Sequence, residues 1–197
     1  MNHYFIENPD LLTHERTLEL HIFNMDFKFL TNNGLFSCDK IDDASTTLLK
    51  NLPPLKGTLL DLGCGYGVLG ITLAKKYALE LTISDINSIA LKYAIKNAQL
   101  NKVPIKNAIH SDSFENIADN FDSITLNPPI HAGKDTMYKM YEESARHLAP
   151  GGSLYIVIQK KHGAQSSIEK LKELFARVDI LYKKKGCFVI SSSGYMP

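Results

Sequence analysis

Apolar and polar positions follow two different rhythms on either side of Lys56. Before it they alternate: Leu18, Leu20 and Ile22 are spaced by two, and Phe27 and Phe29 resume the alternation across Asn24-Met25-Asp26. Period-two spacing broken by a turn predicts a small antiparallel hairpin over 18–31. Asn32-Asn33-Gly34 is a further turn. Asp42 or Asp43 is then placed to cap a helix through Leu48, Leu49 and Lys50, which Pro53-Pro54 stops. After Lys56, short apolar runs alternate with stretches of helical spacing. The runs cover 58–62, 80–84, 106–110, 121–126 and 153–159. The helical stretches pass through Ile71, Leu73 and Ala74, then from an Asn87 cap along an inward side of Ile89, Ala90, Tyr93, Ala94 and Leu100. A third passes through Met137, Tyr141, Ala145 and Leu148 to Pro150-Gly151-Gly152, and a fourth lies near 167–176. Such alternation predicts a largely parallel sheet with helices on both faces. The run at 153–159 is almost wholly apolar, which predicts a central strand. The last two runs, 178–182 and 187–192, are joined by Lys183-Lys184-Lys185-Gly186. That link is too short for a crossover, so this pair must be antiparallel. The expected fold class is α/β, Rossmann-like, with one domain over 1–197: an N-terminal extension over 1–55 packed on a core over 56–197.

Composition narrows the functional classes without choosing one. A chain of 197 residues with 44% hydrophobic and 22% charged residues is an ordinary globular domain. The formal net charge of +1 excludes a global basic field, so any nucleic acid contact has to be local. Cys38, Cys64 and Cys187 are odd in number and far apart, as free thiols in a reducing compartment are. The seven histidines lack ligand spacing, and no metal is expected. Residues 1–7 have neither a basic leader nor a long apolar run, so the expectation is a cytoplasmic protein with no membrane span.

The chemistry concentrates where the apolar runs end. Thr58-Leu59-Leu60-Asp61-Leu62-Gly63-Cys64-Gly65-Tyr66-Gly67-Val68-Leu69-Gly70 reads as a buried strand, a glycine turn and a helix N-terminus. Gly65 to Gly70 match the dinucleotide fingerprint, and Asp85 lies about twenty residues on as that fingerprint asks. Asp61, however, sits where a pyrophosphate would pass. A carboxylate there suits a ligand with an ammonium group. Asp61, Asp85, Asp112 and Asn127 fall at successive strand ends, the side of an open parallel sheet on which ligands bind. Asp61 would face an ammonium through the loop or a water, Asp85 would accept from two ribose hydroxyls, and Asp112 would accept from an adenine amino group.

Asn127-Pro128-Pro129-Ile130 is the most specific motif. Two prolines make the loop stiff and remove N–H donors, leaving the Asn127 side-chain oxygen and the Pro128 carbonyl as acceptors. Rigid acceptors of that kind hold the hydrogens of a planar amino group and align its nitrogen for attack on a sulfonium methyl. A proline turn ending a strand is the simpler reading of such a tripeptide standing alone. Its place at the fourth strand end argues for chemistry.

These segments resemble the class I S-adenosylmethionine-dependent methyltransferases, in the amino-methylating branch. Gly34-Leu35-Phe36-Ser37, the loop from Asp61 to Gly67, and Asn127-Pro128-Pro129-Ile130-His131-Ala132-Gly133-Lys134 look like the small-subunit ribosomal RNA guanine-N2 methyltransferases. The resemblance implies a seven-stranded sheet with the last strand antiparallel, S-adenosylmethionine as cofactor, and ribosomal RNA or the small ribosomal subunit as partner. It implies cofactor contacts at Asp61, Gly63, Cys64, Gly65, Tyr66, Gly67, Asp85, Ile86, Asn87, Ser111, Asp112, Ser113 and Asn127, with catalysis at Asn127, Pro128, Pro129 and Ile130. Candidate substrate contacts are Phe36, His131, Lys134, Lys160 and Lys161, with His162 beside them. Ile130 departs from the pattern, since many amino methyltransferases place an aromatic residue there to stack on the base. A duplicated N-terminal domain found in several family members has no counterpart in this sequence. A protein glutamine amide offers the same planar nitrogen, and a nicotinamide oxidoreductase or a non-catalytic adenosylmethionine binder are the other readings.

Overall fold

A computed structural model describes residues 15–197, so the leader expectation for residues 1–7 lies outside the described residues. The alternating segment forms the expected hairpin, β1 (Arg16–Ile22) and β2 (Met25–Thr31), closed through Phe23 and Asn24, both at positive φ. Helix α1 (Asp43–Asn51) follows, and Asp42 is its cap, its carboxylate accepting from the Ser45 N–H at 2.8 Å. Then come β3 (Thr58–Leu62), α2 (Val68–Tyr77), β4 (Glu80–Asp85), α3 (Ser88–Leu100), β5 (Ile105–His110) and β6 (Phe121–Leu126). The chain ends with α4 (Lys134–Arg146), β7 (Leu148–Gln159), α5 (Ala164–Leu174), β8 (Phe175–Lys184) and β9 (Cys187–Tyr195).

Seven strands form one sheet in the order β5-β4-β3-β6-β7-β9-β8, and β9 runs antiparallel to both neighbours. Alternation along each strand divides the core. Leu60, Leu62, Ile124, Leu126, Leu154 and Ile156 face one side, under α4 and α5. Leu59, Leu81, Ile83, Tyr155 and Val157 face the other, under the hairpin, α1, α2 and α3. Every strand between the edges is therefore buried on both faces, as a parallel sheet requires.

Four expectations need correction. The run at 153–159 is interior but not the middle of the sheet; β6 is fourth of seven. Helix α4 ends at Arg146 and β7 already begins at Leu148, so Pro150-Gly151-Gly152 lies within a strand rather than closing a helix. Pairing with β6 shifts register there, and a Cβ on Gly152 would come within 2.8 Å of the Phe121 carbonyl. Helix α5 starts at Ala164, because Gly163 at φ +91° turns the chain directly out of the preceding 3-10 turn. On α3 the buried residues are Ala90, Leu91, Tyr93, Ala94, Asn97 and Ala98, so the expected Ala90, Tyr93 and Ala94 do face inward, but Leu100 points away at 47% exposure.

The hairpin is held by two asparagines, Asn97 of α3 and Asn101 at that helix's C-terminal cap. Asn97 Oδ1 accepts from the Leu30 N–H at 2.7 Å and its Nδ2 donates to the Leu30 carbonyl at 2.9 Å. One turn further on, Asn101 does the same with the Lys28 N–H and carbonyl, at 3.1 and 2.7 Å. Side-chain amides thus take the place of a further strand along the outer edge of β2.

Candidate active site

At the carboxyl ends of β3, β4, β5 and β6 a cavity of about 460 Å³ opens, large enough for a nucleoside-sized cofactor with part of a second ligand. The glycine turn forms its floor. Gly63 and Gly65 stand at φ +65° and +55°, and a Cβ on either would meet nothing within 4 Å. They leave the backbone open to a ligand. Two other glycines serve packing instead. A Cβ on Gly67 would lie 2.6 Å from the Ile71 Cδ1, and one on Gly70 would lie 2.8 Å from the Asp61 Cβ and 2.9 Å from the Leu81 Cδ1. The open pair is therefore not the glycine set that a dinucleotide fingerprint would use.

Asp85 is built to accept. Its Oδ2 takes the Gly65 N–H and its Oδ1 takes the Asn87 N–H, both at 2.8 Å, so each oxygen is aimed and keeps a lone pair. Burial pushes its carboxyl pKa up, and the Asn87 and Gly65 N–H groups and His110 oppose that rise. Asn87 itself caps α3 through the Ile89 and Ala90 N–H groups. Ser111, Asp112 and Ser113 line the next wall, along with Ile86. Ser111 Oγ accepts from the Asn116 N–H at 3.0 Å, and the Ser113 hydroxyl bonds the Glu143 carboxylate. Both serines hold the loop in shape, whereas the exposed Asp112 presents its carboxylate at the cavity.

Asn127, Pro128, Pro129 and Ile130 form the opposite wall. Asn127 Nδ2 donates to Asp42 Oδ2 at 2.9 Å and to Ser45 Oγ at 3.1 Å, which leaves Oδ1 as its acceptor. Phe36, 53% exposed, and His131 stand at the rim of the same cavity. Tyr66 ties the glycine turn to the Phe36 segment by donating to the Ser37 carbonyl at 3.2 Å, and burial lifts its phenol above the usual range. Cys64 is also buried, which pushes its thiol up, and its N–H donates to the Ser84 carbonyl.

The structure brings most of the expected residues together and leaves five off the cavity wall. Asp61 is 1% exposed and lies behind the turn, accepting from the Gly70 N–H at 2.8 Å and the Thr125 hydroxyl at 3.2 Å. It holds the loop from behind, so any bearing it has on a ligand passes through that loop. Gly67 is packed under α2. Lys134 opens α4 with its Nζ 5.1 Å from the centre of the Tyr138 ring. Lys160 and Lys161 are exposed in the 3-10 turn after β7, just outside the cavity. Their neighbours Gln159 and His162 do line it. Burial, then the nearby Lys161 and His131, lower the His162 pKa, which puts these three side chains at one rim. Asp42, Ser45 and Gln159 were not expected at the site. In the sequence Asp42 is one of two candidate helix caps, and no local signal announces that a cap also reaches a distant strand end.

An adenosyl group with an amino-acid tail fits this lining: an open glycine floor, two aimed acceptor oxygens on the Asp85 carboxylate and a further acid at Asp112. The methyltransferase small domain matches the chain over residues 26–191. The chain belongs to that family. It is 40% identical over 195 residues to the Bacillus subtilis (strain 168) protein YbxB, covering 96% of this chain and 97% of that one. It is 38% identical over 150 residues to ribosomal RNA small subunit methyltransferase C of Pasteurella multocida, covering 73% of this chain but 43% of that protein. Among solved structures, the T. thermophilus 16S rRNA N2 methyltransferase RsmC, in complex with AdoMet and guanosine, superposes with a TM-score of 0.80 at 26% identity. That match covers 94% of this chain and 51% of RsmC, so the chain spans about half the length of these rRNA methyltransferases. The fold is the class I methyltransferase fold, and the protein is an S-adenosylmethionine-dependent methyltransferase. The cofactor supplies an electrophilic methyl group on a sulfonium. Among the described residues no helix is long and apolar enough to cross a membrane.

Proposed function

We propose that this methyltransferase acts on the exocyclic N2 amino group of guanine in small-subunit ribosomal RNA. The observation that carries the reading is the fixed amide of Asn127. With Nδ2 committed to Asp42 and Ser45, only Oδ1 is offered to a substrate, and the carbonyl of Pro128, which lines the same cavity wall, is the second acceptor. Two acceptors match the two hydrogens of an amino group. Holding both favours a pyramidal nitrogen, whose lone pair is withdrawn from the ring and can point at the methyl group. With the cofactor bound, the N–C bond would form as the S–C bond breaks, the sulfur would leave as a neutral thioether, and the positively charged nitrogen would then release one of its two original protons to water. Such alignment requires no base of shifted pKa at the amino group. The rRNA methyltransferases that the chain resembles support the RNA substrate class, and the guanosine in the RsmC complex supports the base. A base held in a duplex stack cannot enter a cavity walled by the glycine turn on one side and the Asn-Pro-Pro turn on the other, so the target nucleotide has to be unstacked.

The test is methyl transfer from labelled S-adenosylmethionine to undermodified small ribosomal subunits, followed by nucleoside analysis. Label is expected in N2-methylguanosine, and Asn127→Ala should lower kcat by about 100-fold or more, the usual cost of removing one aimed polar group from a transition state. Label in protein instead of RNA would transfer the reading to a glutamine side-chain amide. Label in another nucleoside would retain the chemistry and overturn the base.

A further inference from the structure

We propose that Asp42 is a positioning residue for Asn127, dictating which way the catalytic amide points. The inference rests on the amino-methylation reading for its kinetic consequence, though its geometry stands independently. Three donors converge on one oxygen, Asp42 Oδ2: the Ser45 N–H at 2.8 Å, the Asn127 Nδ2 at 2.9 Å and the Ser45 hydroxyl at 3.1 Å. An ionised carboxylate has only acceptor sites, so it admits the nitrogen of Asn127 and repels the oxygen. Ser45 reinforces this. Its single hydroxyl proton is directed at Asp42, so toward Asn127 at 3.1 Å it offers a lone pair. Both groups facing Nδ2 are therefore acceptors, and a flipped amide would set Oδ1 against a carboxylate and a hydroxyl lone pair. That flip would also turn a donor, Nδ2, toward the substrate amino group, where an acceptor is needed.

The same carboxylate caps α1, so the segment preceding the core carries one support of the reaction centre. Asp42 and Asn127 are 85 residues apart in sequence. The hydrogen bond between them links the cap of α1 to the end of β6, the strand that positions the Asn-Pro-Pro turn.

Asp42→Ser tests the idea, because serine caps a helix about as well as aspartate but is too short to reach Asn127. The expected result is a fall in kcat of about tenfold, the worth of one charge-assisted hydrogen bond, with the dissociation constant for S-adenosylmethionine changed less than about twofold. In an Asn127→Ala background the same change should move kcat by less than about twofold, since there is no amide left to orient. A second readout needs no substrate. The Asn127 side-chain amide signals in a nitrogen-15 NMR spectrum, assigned by their loss in Asn127→Ala, should shift in Asp42→Ser while the other side-chain amides stay in place. Unshifted signals, an unchanged kcat, or an equal loss in both backgrounds would each overturn the proposal. If Asp42→Ser does not fold, Ser45→Ala keeps the cap and removes the second acceptor, with an expected drop of about threefold; no drop would count against the idea. A wild-type protein that leaves guanine N2 unmethylated refutes the functional reading instead, and the NMR experiment still decides the orientation of the amide.

Discussion

Asp61 is held in the protein at a cost. Desolvation pushes its carboxyl pKa up to about 7, against the lowering effect of the Gly70 N–H and the Thr125 hydroxyl, and the nearby charge of Asp85 adds to the rise. In an unfolded chain an aspartate titrates near about 3.9. Between these values the native state holds a proton that the unfolded chain releases, so unfolding becomes easier as pH rises through that window and the effect levels off above about 7. Asp61→Asn keeps the shape and an oxygen for Gly70 but does not titrate. Its melting temperature relative to wild type should therefore rise between pH 5 and pH 8, by roughly 5 °C or more for about 2–3 kcal/mol. Thermal denaturation of both proteins at the two pH values checks this, and an offset that is the same at both would place the carboxyl in the ordinary range. The sequence puts Asp61 at a strand end, meeting a ligand through the loop or a water, whereas the structure buries it behind the glycine turn. Alternation explains the difference: Leu60 and Leu62 face one layer, so Asp61 shares the face of Leu59, beneath α2, where Gly70 makes room for it. Asp85 and Asn127 lie at or just past the last residue of their strands, so pleating does not turn them under a helix, and their place at the cavity was legible.

Among the elements, α3 does more than cover the sheet. Asn97 is fully buried, and its Nδ2 donates to the Tyr66 carbonyl at 2.9 Å as well as to Leu30. One side chain thus joins the hairpin, the helix and the glycine turn. Asn97→Ala would leave the Leu30 N–H and carbonyl and the Tyr66 carbonyl without that partner, at about 1 kcal/mol or more for each buried group. We expect a destabilisation of about 2–4 kcal/mol, a drop in melting temperature of roughly 5–10 °C, and weaker S-adenosylmethionine binding because Tyr66 belongs to the turn. Denaturation and a cofactor titration measure both, and a change below about 0.5 kcal/mol would show the hairpin to be held by packing alone. The strands, the hairpin and the Asp42 and Asn87 caps were legible because alternation and capping are local signals. The early start of β7 was not, since a proline and two glycines inside a strand are tolerated only through the register shift against β6. Nor were Asn97 and Asn101, because a polar residue on a helix face looks solvated until the edge it completes is known.

For the molecule as a whole, charge sets the kind of RNA encounter the proposed function allows. A formal net charge of +1 gives no long-range attraction for a polyanion. What cationic character the site has is gathered at one rim, where Lys160 and Lys161 stand past the end of β7, beside His162 and His131. A few such contacts should give weak binding to naked RNA, with a dissociation constant in the micromolar range or above near physiological salt. Each phosphate neutralised on single-stranded RNA contributes about −0.7 to the slope of log K against log salt, so a handful of contacts predicts a shallow line. Lys160→Ala combined with Lys161→Ala should reduce the magnitude of that slope by about 1.4, while the dissociation constant for S-adenosylmethionine stays unchanged, because neither side chain lines the cavity. Filter binding or fluorescence titration across a salt series measures the slope directly. A slope unaffected by the double substitution would remove these lysines from the RNA path. Tight, salt-insensitive binding to arbitrary RNA would mean that base stacking, with Phe36 at the rim as the first candidate, outweighs phosphate contact at this surface.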